Sequence, residues 1–285
     1  MQSGLFSLKK YLFSLLALPL SGLLMAQAPT MLTRADNKSL PMQVYLANDG
    51  QCTATAIISH GAGGSENGYE YLAEFLRKQH WLVLVVGHKE SGSSVLTPLI
   101  EKQGLLAALG QLITTPSAYQ ARFMDINAAR TWAKDKCTSP VTVLIGHSMG
   151  AATAMIEAGA KNKLNLTGTD SFDAYVAMSP QGVGTIFVPD AWKNIKKPVL
   201  MLTGTKDNEL NGSWESRKDA FASLPTGCKW LGVIDGATHM NFAKADMSGK
   251  VESLVTKTTL AFLNGVLSKN CVAPESSNAM NLQVK

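Results

Sequence analysis

The sequence has few charged residues. Asp, Glu, Lys and Arg make up 16% of its 285 residues, whereas hydrophobic residues make up 46%. This balance excludes an intrinsically disordered chain and favours a globular fold with a well-buried core. The formal net charge of +5 is small and the basic residues form no run, so we expect no binding to nucleic acid. Repeats and linker-like stretches are absent between residues 50 and 270, which favours one domain.

Long apolar runs are also scarce. No stretch after the first 28 residues is long and apolar enough to cross a bilayer. At the N-terminus, Lys9 and Lys10 precede the apolar stretch YLFSLLALPLSGLLM and the tripeptide AQA. This order is typical of a secretory signal peptide followed by its cleavage site.

The organisation of the chain follows from that pattern. We predict a cleaved signal peptide over residues 1–28, one domain over residues 29–270 and a loose C-terminal tail over residues 271–285. The mature protein is expected to be exported, either periplasmic or secreted, with no stable membrane anchor. Its formal charge is then 24 basic minus 21 acidic residues, or +3. The sequence indicates no oligomeric state.

Cysteine is rare as well, with four residues: Cys52, Cys137, Cys228 and Cys271. Their spacing contains no C-x-x-C pair, which argues against a redox motif or a zinc knuckle. An even number of cysteines in an oxidising compartment predicts two disulfides, and three pairings are possible.

Apolar runs alternate with helical patterns along the mature sequence. A hairpin is predicted over residues 30–48, and six buried strands follow over residues 54–59, 81–87, 141–146, 174–179, 198–204 and 229–236. Helices are predicted over residues 69–80, 101–113, from Pro116 onward, after residue 148, and over 213–224 and 250–268. Such strands form a mostly parallel sheet with helices on both faces, and its ligand site lies beyond the carboxyl ends of the strands.

The pentapeptide GHSMG at residues 146–150 directly follows the predicted strand VTVLI and precedes a helix rich in small residues. This strand–turn–helix context is typical of a nucleophile elbow, in which glycines relieve crowding between strand and helix. The alternative is a tight turn with an incidental serine. A serine at this position needs a neighbouring base to become a nucleophile. The pattern makes Ser148 the candidate nucleophile.

His239 is the candidate base. Of the five histidines, it is the one that lies C-terminal to Ser148, and it follows the last predicted strand on the side expected for the site. His147 is the variable residue of the pentapeptide. His80 precedes a strand, at the opposite end, and His88 lies in a polar loop where we expect a solvated side chain.

The base needs an acid to orient its ring. Asp207 directly follows the penultimate predicted strand, in the sequence GTKDNE, where the chain order of nucleophile, acid and histidine requires it. Asp235 and Glu209 remain alternatives.

Two backbone amides are predicted to bind the oxyanion. One belongs to Met149, the residue after the nucleophile, and the other to Ala62 in the glycine-rich loop HGAGGS. That loop lacks the Lys-Ser/Thr pair of a nucleotide site, and no cluster of metal ligands is apparent. We therefore expect neither a cofactor nor a metal ion.

In this order and spacing, the segments SHGAGGS, GHSMG, LTGTKD and GATH resemble the α/β-hydrolase family over roughly residues 40–268. Within it the chain is similar to the lidless dienelactone-hydrolase-like, platelet-activating-factor-acetylhydrolase-like and cutinase-like branch. Dienelactone hydrolases use a cysteine nucleophile, whereas position 148 is a serine, as in the esterases. The resemblance implies an α/β fold with a mostly parallel eight-stranded sheet, helices on both faces and serine esterase chemistry.

The resemblance also implies a disulfide pairing. In the family's strand order, the strands that follow Cys52 and Cys137 are neighbours, and the last helix returns Cys271 to the end of the sheet where the strand after Cys228 begins. The resemblance therefore implies the bonds Cys52–Cys137 and Cys228–Cys271. The short stretch between residues 179 and 198 leaves no room for a lid domain, so the site is expected to be open. Three side chains are candidate substrate contacts: Gln181, Trp192 and Trp214. For each tryptophan, packing in the core is the alternative.

These residues together predict an exported serine hydrolase that cleaves a small-molecule or lipid-like carboxylic ester through Ser148, His239 and Asp207. A thioesterase or a peptidase would use the same three side chains. A third alternative is a non-catalytic binding protein that has kept the fold.

Overall fold

The computed structural model describes residues 28–243 and 249–285. In this part of the chain, nine strands form one sheet: β1 (Thr30–Thr33), β2 (Ser39–Tyr45), β3 (Ala54–Ser59), β4 (Trp81–Val86), β5 (Thr142–His147), β6 (Ala174–Met178), β7 (Val199–Lys206), β8 (Lys229–Thr238) and β9 (Met280–Val284). The predicted signal peptide lies outside the described residues, except for Ala28.

Seven α-helices accompany the strands in the described ranges: α1 (Glu70–Arg77), α2 (Ser93–Gln103), α3 (Leu105–Ile113), α4 (Pro116–Lys134), α5 (Met149–Glu157), α6 (Asp219–Ser223) and α7 (Lys250–Ser268). Pro116 opens α4, where its missing N–H costs no hydrogen bond. None of the helices in these ranges has both the length and the apolar character that a bilayer crossing requires.

The sheet order is β1-β2-β4-β3-β5-β6-β7-β8-β9. Strands from β4 to β8 run parallel to one another, and β1, β2 and β9 pair in an antiparallel sense at the two edges. The predicted hairpin at residues 30–48 is β1 and β2. The prediction of a mostly parallel sheet with helices on both faces is confirmed.

Each central strand supplies side chains to two separate cores because successive residues point to opposite faces. In β5, Val143 and Ile145 enter the core beneath α1 and α7, whereas Leu144 enters the core beneath α3, α4 and α5. This two-sided burial explains why the central strands are continuous apolar runs. It also fixes their register, since a shift by one residue would exchange the two faces.

The carboxyl ends of the parallel strands meet along one edge of the sheet. Ser59 of β3 lies opposite Gly146 of β5, and His147 lies opposite Met178 of β6. Lys206 of β7 pairs with Thr238 of β8 after a bulge. Four loops therefore begin side by side at this edge, directly after β3, β5, β7 and β8.

Two predictions are wrong for the same reason: that the sheet has eight strands, and that the C-terminal tail is loose. Residues 271–285 end in β9, a ninth strand that pairs with β8 over five residues. The sequence MNLQV alternates apolar and polar residues, and Met280 and Leu282 pack on the core beside α7. The Lys285 ammonium donates to the carbonyls of Phe221, Ala222 and Leu224, which fixes the end of the tail.

Two predicted helices also differ from the structure. The helix expected over residues 101–113 is divided into α2 and α3 by Gly104, whose φ of 81° interrupts the helix. The helix expected over residues 213–224 is a 3₁₀ turn from Trp214 to Lys218 followed by the short α6. In both cases the local sequence predicted one continuous helix. The periodicity of the apolar residues does not show where the backbone leaves the helical conformation.

Two disulfides join Cys52 to Cys137 and Cys228 to Cys271, with Cα–Cα distances of 5.4 and 5.7 Å. These are the pairs that the resemblance implies. Cys52, Cys137 and Cys228 precede β3, β5 and β8, so both bonds lie at the amino end of the sheet, opposite the four loops.

Removal of either disulfide is expected to lower stability without changing the site. The replacements Cys137→Ser and Cys271→Ser should each lower the free energy of unfolding by about 2–5 kcal/mol, because each bond closes a long loop in the unfolded chain. Urea denaturation of each variant, with the matching Cys52→Ser and Cys228→Ser variants as controls for the free partner thiol, measures the loss. A variant with unchanged stability would contradict a structural role for its bond.

Candidate active site

Ser148 lies on the turn between β5 and α5 in a conformation that few residues adopt. Its φ and ψ are 54° and −117°, and its amide donates to the Met178 carbonyl of β6 over 2.9 Å. A non-glycine residue at positive φ stores strain, which persists only where the surrounding fold enforces it. The turn places the half-buried Ser148 side chain beyond the end of the sheet.

The glycines on either side of Ser148 permit this turn. A Cβ atom at Gly146 would lie 2.0 Å from the Gly150 carbonyl oxygen, and one at Gly150 would lie 2.0 Å from the Ser59 carbonyl oxygen. Both distances are impossible for a side chain. The first turn of α5 therefore packs directly against the ends of β3 and β5, as the pentapeptide predicts.

His239 follows β8 and is held by Asp207, which follows β7. The His239 Nδ1 atom lies 2.8 Å from the Asp207 Oδ1 atom, and the Asp207 side chain is fully buried. A carboxylate accepts, so the hydrogen of the imidazole is on Nδ1 and Nε2 is left as an acceptor. The Thr203 hydroxyl donates to the other carboxylate oxygen over 3.0 Å.

Neither of the two alternative acids is bonded to His239. The Asp235 carboxylate is exposed and accepts from the Thr205 hydroxyl, and Glu209 accepts from the Gly182 amide. Of the three candidates, Asp207 is the carboxylate that contacts His239.

Arg217 is a buried clamp that sequence reasoning missed. Its guanidinium lies 3.0 Å from the Asp207 carboxylate and donates to the carbonyls of Ser179, Pro180, Asp207 and Asn208. Its Nη2 atom also lies 3.3 Å from His239 Nδ1, but both atoms carry hydrogen there, so we interpret this approach as a contact without a hydrogen bond. Arg217 ties the loops after β6 and β7 together around the acid.

His147, the variable residue of the pentapeptide, links the loops after β3 and β8. Its Nε2 atom lies 3.1 Å from the His239 carbonyl and must donate, so its Nδ1 atom accepts from the Tyr69 hydroxyl over 2.9 Å. The Tyr69 oxygen accepts in turn from the Gly61 amide. Burial lowers the pKa of His147 well below 6.5, so this ring is neutral.

The predicted oxyanion donors border Ser148. The loop after β3 approaches so closely that a Cβ atom at Gly61 would lie 3.2 Å from the Ser148 Cβ atom. Ala62 follows Gly61 in this loop, and Met149 is the first residue of α5. Neither amide has a hydrogen-bond acceptor among residues 28–243 and 249–285.

A cavity of about 1290 Å³ opens at this point, and Ser148, His239, Ala62 and Gln181 line it. One wall is apolar and consists of side chains from α2 and α3: Leu96, Leu105, Leu106, Leu109 and Ile113. In the described part of the chain, no hydrogen bond joins the Ser148 hydroxyl to His239, although both side chains face this one cavity.

Two of the three predicted substrate contacts lie outside this cavity. Trp192 is fully buried in the core against Phe187, and Trp214 lines a smaller cavity beside β9. Both tryptophans pack as structural residues, and the Lys218 ammonium covers the Trp214 ring. Gln181 does line the main cavity, and its amide oxygen is buried with no hydrogen-bond partner in the described ranges.

Comparisons with known proteins agree with this architecture. No protein-family model matches the chain. A monoglyceride lipase of Rattus norvegicus is 27% identical over 222 residues, which span 77% of this chain and 66% of that relative's length. An esterase of Pyrococcus furiosus has a TM-score of 0.56 and 20% identity, and the match covers 84% of this chain and 92% of that one.

A predicted CIB-like hydrolase of Thermoplasma acidophilum has a TM-score of 0.54 and 15% identity, over 85% of this chain and 99% of that chain. Together with the sheet order and the turn at Ser148, these similarities settle the fold. The chain is an α/β-hydrolase-fold protein. The particular branch of α/β-hydrolases stays a prediction, as does the absence of a cofactor and a metal ion.

A second buried polar group lies beneath the glycine-rich loop of this α/β-hydrolase-fold protein. His88 was expected to be solvated, but it is buried between Ser59 and Asp125, with 2.9 Å to each. Burial lowers the pKa of His88 well below 6.5 and raises the pKa of Asp125 to about 7, although Arg34 pairs with that carboxylate. The sequence does not indicate this group, because its members come from three separate segments: β3, α4 and the loop after β4.

Acid is expected to destabilise the protein below pH 6.5. Burial lowers the pKa of His60, His88 and His147, so the folded rings stay neutral while the unfolded ones take up protons. The contribution of each ring to the free energy of unfolding is thus fully present above pH 6.5 and is lost below it. For each histidine the loss is up to about 1.4 kcal/mol per pH unit. Asp125 opposes one histidine, because its raised pKa makes the folded carboxyl bind a proton first.

Urea denaturation at pH 8, 7, 6 and 5 measures this loss. The variant His147→Gln should show a smaller loss of the free energy of unfolding between pH 6.5 and 5, because one of the three buried histidines no longer contributes. If the free energy of unfolding of the wild-type protein stayed constant or rose as the pH fell from 6.5 to 5, this would contradict three buried neutral rings.

Proposed function

We propose that the protein is an exported serine hydrolase that cleaves carboxylic esters through Ser148, His239 and Asp207. The observation that carries the proposal is the shared cavity: Ser148, on its strained turn, faces the same space as an imidazole whose Nδ1 is held by a buried carboxylate. A catalytic serine needs this arrangement of base and orienting acid.

In the first step, the Ser148 hydroxyl attacks the acyl carbon while His239 Nε2 takes its proton. This step needs the hydroxyl within hydrogen-bond reach of the imidazole, a contact that is often loose without substrate and tightens in the complex. Asp207 keeps Nδ1 protonated and stabilises the imidazolium. The imidazolium then gives its proton to the departing alcohol, and the acyl group stays on Ser148.

The oxyanion of each tetrahedral intermediate would accept hydrogen bonds from the amides of Ala62 and Met149. Both amides border Ser148 and lack acceptors among the described residues. In the second half-reaction, His239 removes a proton from water, and the resulting hydroxide attacks the acyl-enzyme. Ser148 then leaves with the proton that His239 returns.

The cavity supports an ester with an apolar acyl group. The wall of leucines on α2 and α3 starts beside the oxyanion loop, since a Cβ atom at Gly63 would lie 2.5 Å from Leu96. Other lining residues are polar and include Gln181, Asn208 and Asn211, which suits an alcohol with hydrogen-bonding groups. The similar proteins named a monoglyceride lipase and an esterase agree with a small or lipid-like ester.

Export is part of the proposal. The two disulfides support it, because such bonds persist in oxidising compartments and are rare in the cytosol. The pattern of residues 1–28 supplies the signal.

A fluorophosphonate probe should form one covalent adduct with the wild-type protein, and peptide mapping should locate it on Ser148. The variant Ser148→Ala should lose the adduct and lower kcat for p-nitrophenyl acetate by roughly 10⁵-fold, with Asp207→Asn losing about 10⁴-fold. Asp235→Asn is the matched control and should keep its activity.

No adduct on the wild-type protein would favour a non-catalytic binding protein. Higher kcat/KM for thioesters or peptides than for oxygen esters would shift the assignment to a thioesterase or a peptidase.

A bulky side chain on the leucine wall should shorten the acyl chain that the enzyme accepts. Leu109→Trp is expected to lower kcat/KM for p-nitrophenyl dodecanoate roughly 10-fold or more while leaving the acetate ester unchanged, since it fills the cavity. Phe75→Trp, on a different wall, is the control. Loss of the long ester in Phe75→Trp alone would place the acyl chain on the other side.

A further inference from the structure

The polar group beneath the glycine-rich loop has the chemistry of a second serine–histidine–aspartate set. The Ser59 hydroxyl lies 2.9 Å from His88 Nε2, and His88 Nδ1 lies 2.9 Å from the Asp125 carboxylate. We call Ser59, His88 and Asp125 the buried triad. Its members are at most 2% exposed and none of them lines the main cavity, so a substrate does not reach them. The proposed reaction gives this triad no role.

With Asp125 ionised, each hydrogen bond of the buried triad has a definite direction. The Asp125 carboxylate accepts from His88 Nδ1, so His88 Nε2 accepts from the Ser59 hydroxyl. The Ser59 oxygen is then free to accept from Arg122 Nη1, which lies 3.1 Å away. Arg34 holds the other Asp125 oxygen over 2.9 Å. The triad therefore ends on the guanidinium of Arg122.

Arg122 is fully buried on α4 and grips the loop after β3. Its Nη1 atom donates to the His60 carbonyl over 2.6 Å, and its Nη2 atom lies 3.4 Å from the Gly61 carbonyl. Its Nε atom donates to the Ser91 hydroxyl over 2.8 Å. Burial lowers the pKa of Arg122 to about 10, which still leaves it charged at neutral pH. A charged donor makes strong hydrogen bonds in such surroundings.

The Gly61 carbonyl has two further donors, of which one is the Gly64 amide at 3.2 Å and the other is His60. His60 Nε2 accepts from the His88 amide over 2.9 Å, so its hydrogen is on Nδ1, which donates to the Gly61 carbonyl over 2.6 Å. This carbonyl belongs to the same peptide group as the Ala62 amide. In a trans peptide the C=O and the N–H point in opposite directions. Fixing the Gly61 oxygen toward the core thus turns the Ala62 N–H toward the cavity.

We propose that Arg122, held in place by the buried triad and Ser91, is a positioning residue that aims the Ala62 amide at the oxyanion. The proposal rests on the proposed function, because it assigns a role to an amide of the same site. Arg122 touches neither substrate nor Ser148. It acts through the peptide group that joins Gly61 to Ala62.

Two variants test this role. Arg122→Lys keeps a charge but loses the fork that reaches two carbonyls and two hydroxyls. Ser91→Ala removes a single hydroxyl, while the Ser91 carbonyl continues to accept from the Gly63 amide. The control is Glu157→Gln, another buried group, whose carboxylate accepts from Thr169 and Ser171 far along α5. It should lower stability and leave kcat unchanged.

The value of kcat is calculated per active site, and the concentration of active sites is determined by titration with the fluorophosphonate probe. Arg122→Lys should lower kcat for p-nitrophenyl butyrate by roughly 10- to 100-fold with little change in KM, since the loss is confined to the oxyanion. The affinity of a trifluoromethyl ketone, which binds as a tetrahedral oxyanion, should fall by the same factor. Ser91→Ala should show the same split with a several-fold loss.

The outcomes separate the two proposals. Wild-type protein that neither binds the probe nor cleaves esters would overturn the proposed function and the role of Arg122 with it. Active wild-type protein whose two variants keep kcat and ketone affinity would overturn the positioning role alone. An equal loss of kcat in Glu157→Gln would also overturn it, as a general effect of stability. If Arg122→Lys does not fold, Ser91→Ala decides.

Discussion

Backbone crowding at the end of β5 is the constraint on which the rest of the site depends. Gly146 and Gly150 allow α5 to start directly against the ends of β3 and β5, where any side chain would collide with a carbonyl oxygen. The same contact forces Ser148 to a positive φ. The strain of this turn is offset by the two cores that hold the sheet between its helices. A serine is thus lifted out of the sheet and toward the cavity.

The other groups come from loops that start along the same sheet edge. Asp207 and His239 follow neighbouring strands, so a single hydrogen bond between them is enough to orient the imidazole. Arg217 and His147 then tie these loops to those after β6 and β3. Two buried arginines have comparable roles: Arg217 contacts the acid Asp207, and Arg122 contacts the loop that carries the oxyanion donor Ala62. Both hold backbone carbonyls, which fixes loops that have no regular structure of their own.

Sequence indicated the fold and the main site residues because both depend on local order along the chain. Apolar runs marked the strands, and position after a strand pointed to Ser148, Asp207 and His239. Arg122 and His88 gave no such signal, since their partners lie up to 63 residues away and a lone polar residue suggests solvent. Strand β9 was missed although MNLQV alternates, because the polar residues before it suggested a loose end. Trp192 and Trp214 were expected at the site on residue type alone, which packing overruled.

The central claim is that the fold directs two backbone amides at the atom that reacts with Ser148. A crystal structure of the protein with a phosphonate bound to Ser148 tests it most directly. The account predicts that the phosphoryl oxygen lies about 3 Å from the amide nitrogens of both Ala62 and Met149, with the Gly61 carbonyl still turned toward Arg122. A phosphoryl oxygen directed away from these amides, or a Gly61–Ala62 peptide in the opposite orientation, would contradict it.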